Sequence, residues 1–264
     1  MQKIFLTLLC ACGMISLQAV EMRHMREISI SLQDADTDTL VIFDVDMVLV
    51  QPQDPAFQMS NIKRHGALAK RIMNDIPSDK LMLFFGLMTL HSEPVLIDLE
   101  APHLIQELRR RGVPTMALTA NLTGELAGVK EIECRRAEKL QALGIDFSTT
   151  APYSHPIVFE DLPPYHGYFS HYFDGFFFVN GRTCSKGEAL LAFLRRTQIT
   201  PKKIIFIDDR EENLKSVQEA LEGRPTTYLG IHYMGALQYP SEDITESAFQ
   251  SKWEALANET LQLH

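Results

Sequence analysis

The chain has 264 residues, 45% of them apolar and 22% charged, the proportions of an ordinary globular protein with enough length to bury a sizeable core. Its formal net charge is −9, and no Lys/Arg cluster exceeds short runs such as Arg109-Arg110-Arg111, which argues against nucleic acid as a principal partner. Four cysteines spread over this length imply no disulfide framework, and there is no internal repeat or low-complexity tract.

The N-terminus, "MQKIFLTLLCACGMISLQAVE", has one lysine, an apolar run from Ile4 to about Leu17, and a small-residue cleavage pattern at Leu17-Gln18-Ala19. The run is too short to span a bilayer. Residues 1–19 are expected to be a cleaved signal peptide, with export to the periplasm or beyond the cell. A short buried helix and lipidation at Cys12 are the alternatives. Without the leader, 24 Lys and Arg face 34 Asp and Glu, a formal charge of −10. Cys134 and Cys184 then remain, to form one disulfide or stay as two thiols. No other window approaches 18 uninterrupted apolar residues, so no transmembrane segment is expected after signal cleavage.

Residues 20–38 are polar and read as a leader into the first strand. Leu40-Val41-Ile42-Phe43 is that strand: short, β-branched and aromatic, without helical period. Asp44 and Asp46 follow it inside "LVIFDVDMVLV", either as an ordinary turn or cap, or as charged groups with a partner. Residues 51–97 hold two helix-like pieces, "NIKRHGALAKRIMND" and "SDKLMLFFGLMTL", and "APHLIQELRRRG" is a further helix stopped by Gly112. A second buried strand is predicted over 113–119, then a helix over about 124–143, from Leu126, Val129, Ile132, Ala137 and Leu140 at a period near 3.6. Residues 146–173, rich in Pro, Tyr, His and Phe, read as an irregular excursion, with His155, His166 and His171 as exposed loop residues. Strands at 174–181, 202–209 and 225–231 alternate with helices at 186–197 and over "EENLKSVQEALEG", and a helix over 247–261 closes the chain around Trp253.

This alternation defines an α/β fold: a parallel sheet with helices on both faces. In such a sheet all strand carboxyl ends share one edge. Asp44 and Asp46, then Thr119 and Ala120, Lys186, and Asp208 and Asp209 therefore face a common crevice. Clustered carboxylates repel unless a cation joins them, and hard oxygen ligands suit Mg²⁺. The stripe Phe84, Phe85, Leu87 and Met88 either lines an entrance to this crevice or packs the insertion onto the domain.

In order, "FDVDMVLV", "ALTA", "SKGEAL" and "IIFIDDREENL" resemble the four motifs of the haloacid dehalogenase-like (HAD) superfamily, over about residues 39–230. With its leader and insertions the chain looks like the exported bacterial DUF2608 branch. The resemblance implies a Rossmann-like, HAD-type sheet over 20–264, with 51–97 as a small helical cap and 146–173 as a second insertion. It implies a Mg²⁺-dependent phosphatase that hydrolyses phosphate monoesters through an aspartyl-phosphate. Asp44 would be the nucleophile, and Asp46 the acid and then the base, its backbone carbonyl joining the metal shell. Thr119, Ala120 and Lys186 would hold the phosphoryl group. Asp209 would be the preferred metal ligand because Asn213 follows it at the family's spacing, with Asp208 second. A phosphorylated small molecule or another phosphomonoester is the implied partner. Met47 is bulky for its place in the motif, and a 47-residue cap suggests an open site. The alternatives are a phosphotransferase and a non-catalytic exported scaffold that binds a protein partner.

Overall fold

A computed structural model describes residues 19–238 and 241–263; all but the last residue of the predicted leader lies outside them. Its first elements are strand β1 (Val20–Met22), helix α1 (Met25–Ser31), β2 (Thr39–Phe43), β3 (Val50–Pro52), α2 (Met59–Arg64), α3 (Gly66–Asn74), α4 (Leu81–His91) and β4 (Pro94–Leu96). There follow α5 (Ala101–Arg110), β5 (Thr115–Thr119), α6 (Ile132–Ala142), β6 (Ile157–Phe159), β7 (Ser170–Phe173) and β8 (Phe176–Phe178). The chain ends with α7 (Lys186–Thr197), β9 (Lys203–Asp208), α8 (Glu211–Leu221), β10 (Thr227–Tyr233) and α9 (Glu246–Gln262).

Eight strands form one mostly parallel sheet in the order β1-β10-β9-β2-β5-β8-β7-β6. All neighbours from β1 to β8 run parallel. β2 lies at the centre, with Phe43 in register with Ile207 on one side and Ala117 on the other. Because strand side chains alternate, each central strand supplies both cores. Val41, Phe43, Ile205 and Ile207 pack with α1, α5 and α6 on one face. Leu40, Ile42, Ile204 and Phe206 pack with α7 and α8 on the other. The continuous apolar runs that read as strands do so because both faces are covered.

Four departures from the expected elements have identifiable causes. Residues 20–38 are more than a leader: β1 adds a parallel edge strand beside β10, and Met25, Ile28 and Leu32 bury one side of α1. The helix expected from residue 124 begins only at Ile132. Residues 124–131 make a loop in which Gly124, Ala127, Gly128 and Glu131 all take positive φ, a conformation that no helix contains. The excursion 146–173 contains β6 and β7, which extend the sheet antiparallel beyond β8, so the sheet is mixed rather than wholly parallel. Its prolines fall outside these two short strands, where no ladder hydrogen bond is lost. His171 accordingly lies in β7 and not in a loop, whereas His155 and His166 are exposed. No helix among the described residues is long and apolar enough to cross a membrane.

The segment 51–97 is helical between β3 and β4, which pair as a small antiparallel hairpin. Its first helix-like piece breaks at His65 into α2 and α3. These helices form a third core together with α9, which the sequence placed only as a closing helix. Trp253, 1% exposed, is its centre: the ring stacks on Phe249 at 5.1 Å and meets Phe84 at 5.4 Å. Its indole Nε1 donates to the Ala56 carbonyl at 2.8 Å, so the polar edge is satisfied as the ring is buried. Trp253→Ala is expected to lower the unfolding free energy by about 3–5 kcal/mol. Denaturant titration followed by circular dichroism measures that loss; a change below 1 kcal/mol would mean that α9 is not part of this core.

Candidate functional site

The sheet's carboxyl edge brings the sequence-flagged residues together. One residue beyond β2, the Asp44 amide still donates to the Ile207 carbonyl at 2.8 Å, so its side chain emerges where the central strand stops. The chain then turns tightly, with Leu49 N donating to Val45 O at 2.9 Å and Met47 N to Val50 O at 2.8 Å. Met47 sits in this turn at φ 63°, an uncommon conformation for a long side chain.

Lys186 is the first residue of α7. Ser185 caps that helix: its Oγ accepts from the Glu188 amide at 3.1 Å, and Glu188 accepts from the Ser185 amide at 2.7 Å. Gly187 follows because α7 presses on α8 there; a Cβ at this position would overlap the Ser216 carbonyl oxygen. Held so, Lys186 Nζ lies 2.8 Å from Asp44 Oδ2 and 2.7 Å from Asp208 Oδ2. Burial pulls the lysine pKa down, but the Asp208 and Asp44 carboxylates outweigh it and hold the ammonium at about 12.

Asp208, fully buried, is saturated. Besides Lys186, Asn213 Nδ2 donates to both its oxygens at 3.0 and 3.1 Å, and the Arg210 amide donates at 2.9 Å. Asn213, whose spacing from Asp209 is the ground for preferring Asp209 as ligand, holds Asp208 instead. Asp209 remains partly buried and faces the cavity. Burial, with the neighbouring Asp208 charge, pushes it up to about 7. Burial likewise raises Asp44 well above the usual carboxylate range, and the Lys186 ammonium only partly offsets this.

Asp46 stands apart from this group. Its Oδ1 accepts from Arg136 Nη2 at 2.6 Å and its Oδ2 from Asn121 Nδ2 at 2.6 Å. Neither partner was singled out from the sequence. Arg136 carried a readable signal, because it lies four residues from both Ile132 and Leu140 on the apolar face of α6, where a solvated arginine does not belong. Asn121 directly follows the "ALTA" strand end. Thr119, 1% exposed, accepts from the Asn121 amide at 3.3 Å, which leaves its hydroxyl proton free. Ala120 lines the cavity beside it.

Of these groups all but the buried Asp208 and Arg136 line one cavity of about 840 Å³. Asp44, Asp46, Thr119, Lys186 and Asp209 form its floor, while Met59, Met73, Met82, Phe85, Met88 and Trp253 line its opposite side. The expected stripe divides: Phe85 and Met88 line the cavity, whereas Phe84 and Leu87 pack within the third core. Cys134 and Cys184 are both free thiols, and burial pushes Cys184 up to about 11.

The donor set fits a hard divalent cation. Asp44 and Asp209 each offer a carboxylate oxygen, and with one oxygen of Asp208, whose other partners already engage it, these lie within 4.8 Å of one another. The Asp46 carboxylate is outside that group, which leaves its backbone carbonyl as the atom it could contribute. Around the floor, four aspartates face two cations, Lys186 and Arg136, so a +2 ion would balance the charge.

Fold and site thus describe an α/β protein with a buried carboxylate–lysine centre on the floor of a helix-lined cavity. The chain belongs to the DUF2608 family, described as a protein family of unknown function, whose model matches residues 21–263. It is similar to proteins described only as uncharacterized from Rickettsia bellii (strain RML369-C), at 22% identity over 87% of this chain and 81% of the relative, and from Rickettsia felis (strain ATCC VR-1525 / URRWXCal2), at 22% over 88% and 82%. A Rickettsia prowazekii (strain Madrid E) protein is 25% identical over 57% of this chain and 51% of its own length.

The folded, metal-free chain keeps a proton on Asp209 up to about pH 7, whereas an unfolded aspartate loses it near 3.8. Metal-free stability should therefore fall as pH rises between those values. A cation displaces the proton, so Mg²⁺ should bind more tightly with rising pH and raise Tm more at pH 8 than at pH 5.5. Asp209→Asn should raise the metal-free Tm at pH 8, by about 2–4 °C per kcal/mol of repulsion relieved, and blunt the Mg²⁺ response. Scanning calorimetry with Mg²⁺ and with EDTA measures each effect; an equal Mg²⁺ shift at both pH values would contradict this assignment.

Proposed function

We propose that this chain is a metal-dependent phosphomonoester hydrolase of the HAD-like kind, working through an aspartyl-phosphate on Asp44. One observation carries the reading: two aspartates of a single turn occupy different environments at one cavity floor. Asp44 shares Lys186 with Asp208, while Asp46 is held by Arg136 and Asn121. Separate environments for neighbouring carboxyls are what separate nucleophile and acid–base roles require. The topology supports the same reading, since Asp44 leaves the central strand and the helices of 51–97 are inserted between the strands of the hairpin that follows it.

In this mechanism an Asp44 oxygen attacks phosphorus, the ester P–O bond breaks, and the departing oxygen takes a proton from Asp46. Asp46 then removes a proton from water as that water attacks the aspartyl-phosphate. The bond to Asp44 breaks and inorganic phosphate leaves. Both Asp46 oxygens are engaged, so one must be released from Asn121 or Arg136 to reach the substrate. Lys186, protonated throughout, and the Thr119 hydroxyl hold the phosphoryl oxygens, with the N-terminus of α7 behind them. A divalent cation such as Mg²⁺, held by Asp44, Asp209 and the Asp46 carbonyl, would supply charge neutralisation for the carboxylates and the phosphoryl group. The leader-like N-terminus supports a site of action outside the cytoplasm.

The test is hydrolysis of p-nitrophenyl phosphate with Mg²⁺ and with EDTA. Activity should need the metal, vanish in Asp44→Asn, and fall by about 10²–10⁴ in Asp46→Asn. An Asp44→Asn chain as active as the wild type would sink the mechanism. Transfer of phosphate to an added alcohol would redefine the enzyme as a phosphotransferase.

A further inference from the structure

Five of the chain's eleven methionines line this single cavity. Met47 borders the carboxylates; Met59, Met73, Met82 and Met88 come from α2, α3 and α4, and Phe85 and Trp253 complete the wall. No charged side chain from those three helices lines the cavity, although Lys63, Arg64, Lys70 and Arg71 stand on them, exposed elsewhere. The hydroxyl of Thr89 is the one side-chain hydrogen-bonding group that the three helices contribute to the wall. Most of the remaining polar lining lies near the start of α7 and α8, with Ser185, Glu188, Arg210 and Glu212, while the Arg182 guanidinium sits over the Phe85 ring, 5.9 Å from its centroid.

A sugar or nucleoside placed against the methionines would find only Thr89 and Arg182 nearby and would bury its other hydroxyls without partners, which costs binding energy for each one. An apolar chain loses nothing there, and unbranched, polarisable methionines adapt to alkyl and aryl groups of varied shape. At about 840 Å³ the space is in the range that encloses a whole small ligand and far exceeds what a phosphate alone requires.

We infer that the substrate is an amphiphile: a phosphate monoester whose alcohol is an extended alkyl or aryl group, with phosphate on the carboxylate–lysine floor and the apolar part against the methionine wall. This rests on the phosphomonoesterase reading of the same site.

Binding and turnover test the two ideas separately. Non-hydrolysable ethyl-, butyl- and octylphosphonate, titrated calorimetrically into the full chain with Mg²⁺, should bind progressively more tightly, octyl exceeding ethyl by about tenfold or more. Met82→Gln, close in length but polar, should erase most of that advantage; Met73→Gln serves if the first variant fails to fold. Turnover of the matching alkyl phosphates should rise in kcat/KM along the same series. Equal binding of short and long phosphonates would overturn the inference even if every short phosphate were hydrolysed. Chain-length-dependent binding without hydrolysis of any ester would instead overturn the enzymatic reading and keep the amphiphilic ligand. Dodecyl phosphate below its micellar concentration, and phosphatidic acid in phosphatidylcholine vesicles, separate a soluble amphiphile from a lipid headgroup. Turnover of either supports the inference, and preference for sugar phosphates over both overturns it.

Discussion

A single buried ammonium, shared between Asp44 just past β2 and Asp208 at the end of β9, is the interaction on which the rest of this molecule depends. It joins the two central strands of the sheet to the first turn of α7. Each contact that fixes it is itself fixed: the helix by the Ser185–Glu188 cap, its approach to α8 by Gly187, and Asp208 by the two-oxygen grip of Asn213. Removing one member of such a pair strands a charge without water, a defect of about 3–5 kcal/mol. Stability and chemistry therefore share the same atoms.

The charge left over by that interaction is what gives the site its character. Burial raises the proton affinity of Asp44 and Asp209, the neighbouring carboxylates add to it, and one ammonium, Lys186, does not offset both. Raised, partly unpaid carboxylates beside a cavity mark a functional centre more specifically than a fully balanced ion-pair network does. Arg136 and Asn121, by contrast, give Asp46 its own partners two residues away, and the turn through Met47 keeps the two sets apart.

Much of this was legible in the sequence, because parallel topology is a strong constraint. Once strands and helices alternate, the residues after each strand must meet, so Asp44, Thr119, Lys186 and Asp209 could be brought to one edge without knowing any distance. What stayed hidden depended on contacts with no local pattern. Arg136 reads as one more charge on a polar helix unless its place in the apolar stripe is weighed. The side on which Asn213 finds its carboxylate follows from how α8 leaves β9, which spacing does not reveal. β6 and β7 are too short, and too full of aromatic and turn residues, to announce themselves as strands. The glycines at 124 and 128 were outvoted by a chance helical period across a loop.

The packing of α9 also bears on the order in which the molecule can be completed. The hydrogen bond from Trp253 to Ala56 spans 197 residues, and Phe249 and Trp253 supply the centre of a core whose other members lie mostly between residues 56 and 88. During synthesis those earlier helices emerge long before their partner and must wait with apolar faces open. Closure across so wide a loop is slow relative to the local elements it joins. The wall that α2, α3 and α4 give the cavity thus stays without Trp253 until a helix far downstream of them has been made.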